Sequence, residues 1–200
     1  MRPFVICIVL LFLATVSAQQ PPANNKRRGH HFDTVNTRKY FGWVPKSQSS
    51  SSVNLTELAE EFLHAHNWVR NQYKLPSYVW DEKLASYARK YLMQRYDDCK
   101  MIHSNSNYGE NLFWGKQLHW TASDATYYWY LEKKWYDFKT LHCAPPPRAC
   151  GHFTQLVWRD STRLGCALQH CHNRAVGMLI ACEYDPPGNY ENENPLQLHS

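Results

Sequence analysis

The cysteines constrain this chain more than any other feature. The 200 residues contain seven of them, and the first, Cys7, lies in the leader "MRPFVICIVLLFLATVSA". That leader has one positive charge, an apolar run from Phe4 to Val16 and a small-residue end. It reads as a secretory signal over residues 1–18, with cleavage expected after Ala18, because the run is too short for a hydrocarbon core of ~30 Å. No other stretch is long and apolar enough to be read as a transmembrane span. The mature chain is therefore expected outside the cell, where thiols oxidise. The remaining six cysteines, Cys99, Cys143, Cys150, Cys166, Cys171 and Cys182, then read as three disulfides whose pairing the sequence alone leaves open. A zinc site built on Cys166 and Cys171 is the competing reading. With every cysteine paired, none is left as a catalytic thiolate.

Charge divides the chain. The formal net charge is +5, of which Arg2 supplies one unit. Residues 19–53 carry six cations against Asp33, which leaves residues 54–200 with a net of one negative charge. A basic tail of this kind is no nucleic-acid-binding face, and no nucleic-acid partner is expected. Residues 19–53 are poor in aliphatics and hold a Pro-Pro pair and the serine run "SQSSSS", so they read as a disordered segment in which Tyr40, Phe41 and Trp43 could dock. The folded domain is read as residues 54–200, beginning at the sequon Asn54-Leu55-Thr56, a glycan acceptor.

Within that domain, periodicity predicts helices first and strands last. "NLTELAEEFLHAHNWVRNQY" places Leu58, Phe62, Ala65 and Val69 on one helical stripe, behind an Asn54–Glu57 capping pattern, and Pro76 ends it. His64 and His66, two apart, face different ways. "DEKLASYARKYLMQRY" starts at Asp81 as N-cap, and "SDATYYWYLEKKWYDF" at Ser123. An irregular stretch holding Cys99, His103, Asn107 and Gly109 separates these two helices. After "CAPPPRAC", the runs "HFTQLVW", "RLGCALQ" and "AVGMLIACEY" are β-branched, aromatic or apolar and read as strands. This order is α+β, with helices packed on an antiparallel sheet.

The stretches "HSNSNYGENLFWG", "WYLEKKWYDF", "CGHFTQLVWRDSTRLGCA" and "CEYDPPGNY" stand in an order that resembles the CAP superfamily of cysteine-rich secretory proteins. They are most similar to the group 1 pathogenesis-related proteins of plants. The resemblance runs from about Leu58 to Tyr190 and implies an α–β–α sandwich with a central cleft. It also implies that His103, Glu110, Glu132 and His152 meet in that cleft, and that the disulfides are Cys99–Cys171, Cys143–Cys150 and Cys166–Cys182. Glu183 departs from the pattern, standing where the related "CNY" motif has asparagine.

Two imidazoles and two carboxylates suit zinc or another divalent ion, with His103 and His152 as ligands and Glu110 and Glu132 as further ligands, a base or orienting partners. A purely structural hydrogen-bond network is the plainer reading. No HExxH helix and no Gly-x-Ser-x-Gly elbow is present, so a binding protein that requires no cofactor is expected, rather than an enzyme. An apolar ligand, a sterol in particular, is the other partner implied. Tyr128, Tyr130, Trp135 and Phe138 are spaced like the caveolin-type aromatic motif with which some family members bind sterols. The expected role is defence against microbes by a monomer in the apoplast. The alternatives are a metal-dependent hydrolase using the same four residues, and a developmental signalling factor whose specificity lies in the basic tail.

Overall fold

A computed structural model describes residues 36–44 and 55–198, within a compact unit spanning Val35–Ser200. The leader and the sequon residue Asn54 lie outside the described residues. None of the described helices is long and apolar enough to cross a membrane.

The chain runs through α1 (Thr37–Phe41), α2 (Leu55–Gln72), β1 (Val79–Trp80), α3 (Glu82–Gln94), β2 (Gly109–Gly115), α4 (Ala122–Leu131), a 3-10 turn (Glu132–Trp135), β3 (Tyr136–Asp137), β4 (His142–Cys143), α5 (Gly151–Leu156), β5 (Arg163–His170) and β6 (Met178–Asp185). Four strands form one sheet in the order β1-β5-β6-β2. The β5–β6 and β6–β2 pairs are antiparallel, whereas the two-residue β1 joins β5 in parallel, so the sheet is mixed rather than wholly antiparallel. Strands β3 and β4 make a separate small ribbon.

Period-two burial on the sheet explains the sandwich. On β6, Met178, Ile180, Cys182 and Tyr184 face a core shared with Phe62, Ala65 and Val69 of α2, Trp129 of α4 and Phe153 of α5. Leu179 and Ala181, the intervening residues, face Ala88, Tyr91 and Leu92 of α3. Helices thus cover both faces. Asp81 caps α3 by accepting from the Lys83 and Leu84 amides. Helix α4 starts one turn position before the Ser123 expected from sequence: Thr121 and Asp124 form a reciprocal capping box. The same helix stops at Leu131, and the chain up to Phe138 continues as the 3-10 turn and β3.

Two further differences bear on the site. "HFTQLVW", read as a strand, is mostly the helix α5, and "GENLFWG", read as irregular, is the edge strand β2. Within residues 19–53, α1 is ordered: Phe41 is 2% exposed, and Arg38 makes a two-pronged bond to the buried Glu61, at 3.0 and 2.8 Å.

Disulfides join Cys99 to Cys171, Cys143 to Cys150 and Cys166 to Cys182. The last links residues directly opposite on β5 and β6. Gly165, next to Cys166 on β5 and on the α3 face, has no room for a side chain. A Cβ there would lie 2.2 Å from the Ala85 amide nitrogen and 2.6 Å from the Asp81 carbonyl oxygen. Gly165→Ala is expected to lower stability by about 2 kcal/mol in urea denaturation, because the obstacle is helix backbone rather than a mobile side chain. An unchanged midpoint would mean that α3 can retreat from the sheet without loss.

Candidate functional site

Helix α5 has six residues, and the rest of the fold holds its two ends. Oε2 of Glu132, in the turn after α4, accepts from the His152 and Phe153 amides at 3.1 and 3.3 Å, among the donors that a helix start leaves unpaired. Oε1 of Glu132 lies 2.7 Å from His152 Nδ1. One carboxylate therefore caps α5 and orients the imidazole that α5 carries. The ring of His152 also stacks on Trp129 at 6.1 Å.

A second pair repeats the pattern. Glu110 Oε1 lies 2.6 Å from His103 Nδ1, and the Ser104 amide donates to both oxygens of the same carboxylate at 3.1 and 3.3 Å. The side chain of Glu110 is 5% exposed and that of His103 65%, so a buried acid holds an imidazole turned toward solvent. The corresponding values for His152 and Glu132 are 31% and 18%. No hydrogen bond engages Nε2 of either histidine among the described residues.

The edge strand β2 touches both pairs. Glu110 lies on its α3 face, while the next residue, Asn111, reaches across the other face and donates to the His152 carbonyl at 3.1 Å. The four residues thus form two histidine–carboxylate pairs rather than one closed cage. Among the described residues, no three of the four bring donor atoms within 4.8 Å of one another. The donors that do come so close are His66, Cys166 and Cys182, but both sulfurs are spent in a disulfide. His66 is fully buried. Its Nδ1 bonds the Phe62 carbonyl at 2.7 Å and its Nε2 the Tyr184 hydroxyl at 2.9 Å. Burial lowers its pKa to about 3, so the ring is neutral core structure. His64, two residues earlier on α2, bonds the Phe41 carbonyl and helps seat α1.

The four aromatics of the expected sterol motif are dispersed. Tyr130 is 5% exposed and packs between Trp68 and Phe153, and Phe138 also meets Phe153. Tyr128 faces Phe113 and Trp120 instead, as two residues of separation on a helix require. Trp135 lies under Lys134 and Arg148, with the cations 5.0 and 4.1 Å from its ring centre. Near α5 there is a groove of about 420 Å3, lined by Tyr136, His142, Thr154, Trp158 and Tyr190 among others, and none of the four paired residues lines it.

Two buried groups escaped the sequence reading. Arg70 on α2 is fully buried and donates to the Pro76, Leu156, Trp158 and Arg159 carbonyls. Glu183 on β6 is also fully buried, and its carboxyl meets that of Glu110 across the strands. Burial raises its pKa to about 9, with the charge of Glu110 adding to the shift. Nothing in the local sequence marks Arg70. Glu183 carried one signal, its departure from the asparagine of the related motif.

Comparison with known proteins agrees with this architecture. Residues 63–184 match the cysteine-rich secretory protein (CAP) family. Pathogenesis-related protein 1A1 of Solanum lycopersicum is 50% identical over 132 residues, covering 66% of this chain and 73% of the relative. Pathogenesis-related protein 1A of Nicotiana tabacum is 41% identical over 146 residues, covering 73% and 85%. A solved structure described as NaASP2 with Zn2+ superposes with a TM-score of 0.56 at 22% identity, over 69% of this chain and 84% of that one, which shows a shared fold. With helices on both faces of the sheet, three disulfides and a family match across most of the described domain, this chain belongs to the cysteine-rich secretory protein (CAP) family, beside the pathogenesis-related proteins 1 of plants.

Proposed function

We propose that this chain is a secreted defence protein of the pathogenesis-related 1 type that acts by binding rather than turnover, with a divalent cation as ligand of its two histidines. The observation that carries the reading is the bond from each Nδ1 to a glutamate. A carboxylate at Nδ1 fixes the tautomer and leaves Nε2 as a ligand atom, the usual arrangement of metal-binding histidines. The donor set fits a zinc-like ion with open positions, which a bound metal would use to polarise or hold a further ligand. Binding is preferred to hydrolysis because the one hydroxyl adjacent to His103 in sequence, that of Ser104, is buried. Both glutamates are also committed to backbone amides as well as to their histidines. A solved relative named with Zn2+ supports the choice of ion, and the three disulfides support an oxidising, extracellular setting.

Zinc titration by calorimetry tests the reading. His103→Ala with His152→Ala is expected to weaken zinc binding by about tenfold or more. Unaltered affinity in the double variant would remove the two-histidine site. An esterase or peptidase activity that disappears with Glu110→Gln would instead establish the hydrolase alternative.

A further inference from the structure

Glu183 takes no part in the histidine pairs, and its surroundings supply its carboxyl group with no ordinary donor. Glu110 and Glu183 are directly opposite on antiparallel β2 and β6, on the face turned to α3. Two acids in that position repel unless something lies between them. Glu183 is fully buried, no amide or hydroxyl donor among the described residues reaches its oxygens, and the one group it can share a proton with is the Glu110 carboxyl. Glu110 is held at its rim by His103 Nδ1 and the Ser104 amide, while the Ser104 hydroxyl is buried and also unpaired. The nearby ionisable groups are engaged elsewhere. Arg95 turns its guanidinium end to Asp98, leaving its buried Nε without a partner. The Tyr91 hydroxyl donates to the Ile102 carbonyl. Among the described residues no cationic side chain pairs with Glu183. Buried oxygens without a donor call for something between them: an ion, a water or a shared proton.

We infer that Glu110 and Glu183 hold a divalent cation at the base of the cleft, beneath His103. Two facing carboxylates are hard oxygen donors, so the ion they select is of the oxygen-preferring class, for which Mn2+ is a convenient probe. A cation between them would neutralise both acids and satisfy the Glu183 oxygens, which no amide or hydroxyl donor among the described residues reaches. The inference rests on the cleft reading in one respect: Glu110 is taken to serve both the His103 pair and this second ion. The asparagine of the related motif offers one neutral carbonyl oxygen, so the cation preference would be a property of this chain's own sequence.

The test uses the full chain stripped with EDTA, with Mn2+ followed by electron paramagnetic resonance and Zn2+ by calorimetry. Wild type is expected to take up Mn2+ at one site. Glu183→Gln, which keeps the shape of the side chain, is expected to weaken that uptake by about tenfold or more. Glu183→Asn should behave alike, which separates loss of a ligand from loss of fold. Mn2+ uptake in both variants equal to wild type would overturn the site. So would absence of uptake by wild type, in which case a proton holds the two acids together. If zinc binding ignored the two histidines while Mn2+ uptake still required Glu183, the two-histidine reading would fail and this one would stand.

Discussion

Replacing Arg70 with methionine is expected to destabilise the protein by about 3–5 kcal/mol, the largest loss foreseen for any single substitution here. Methionine fills much of the volume but offers no donor. The guanidinium serves four carbonyls, at 2.5 Å to Pro76, 3.4 Å to Leu156, 2.7 Å to Trp158 and 3.1 Å to Arg159. Leu156 is the last residue of α5, and Trp158 and Arg159 come just after its C-cap Val157, so Arg70 supplies hydrogen bonds that the end of this helix cannot make internally. Among the described residues, no carboxylate pairs with Arg70. The charge is met by carbonyl dipoles and by the Tyr78 ring 4.1 Å away, while burial lowers the Arg70 pKa. Removing the side chain would strand buried acceptors that water cannot reach. Arg70→Lys is expected to recover only part of the loss, since one ammonium cannot fork toward four acceptors on two segments. Urea denaturation monitored by tryptophan fluorescence gives both values. A loss below about 1 kcal/mol for methionine would show that the carbonyls find other partners.

The same residue shows why one motif was misread. "HFTQLVW" has the composition of a strand, and nothing within it favours six residues of helix. Its helix is imposed from outside: Glu132 satisfies the first amides and Arg70 the last carbonyls. Neither partner is near in sequence, so local propensity gave the wrong answer. Strand β2 was missed for a related reason. It pairs with β6 alone, on one edge, and its alternation is blurred by Glu110 and Asn111, which face opposite sides in different polar networks. By contrast, α2 and α3 were legible, because their apolar stripes repeat over several turns and Asp81 caps the second. The strands β5 and β6 were legible because every second residue faces a different core. The histidine–glutamate pairs follow from no local pattern. Only the resemblance to a family joined residues so far apart.

Glu183→Gln should raise stability in metal-free solution, and the gain should grow with pH. The carboxyl has an ordinary pKa of 4.5 and is raised to about 9 in the folded protein, first by burial and then by Glu110 opposite. A folded state that holds its proton more tightly than the unfolded chain loses stability as pH rises between those two values. The full benefit of the protonated acid is present below pH 4.5, and it declines by about 1.4 kcal/mol for each pH unit until about 9. At pH 7 the wild-type penalty is therefore about 3 kcal/mol, and near pH 5 it is under about 1 kcal/mol. Glutamine does not titrate, so the difference between variant and wild type isolates this group from the rest. His66 must be separated in this way because it acts in the opposite direction. Its pKa, lowered to about 3, costs stability as pH falls below its ordinary 6.5. The two buried groups together confine wild-type stability to an intermediate optimum, and the glutamine variant should move that optimum upward. Thermal unfolding of both proteins from pH 5 to 9 in EDTA measures the divergence. Parallel curves across that range would mean that Glu183 is already ionised in the folded state, with a counter-charge supplied by the protein itself.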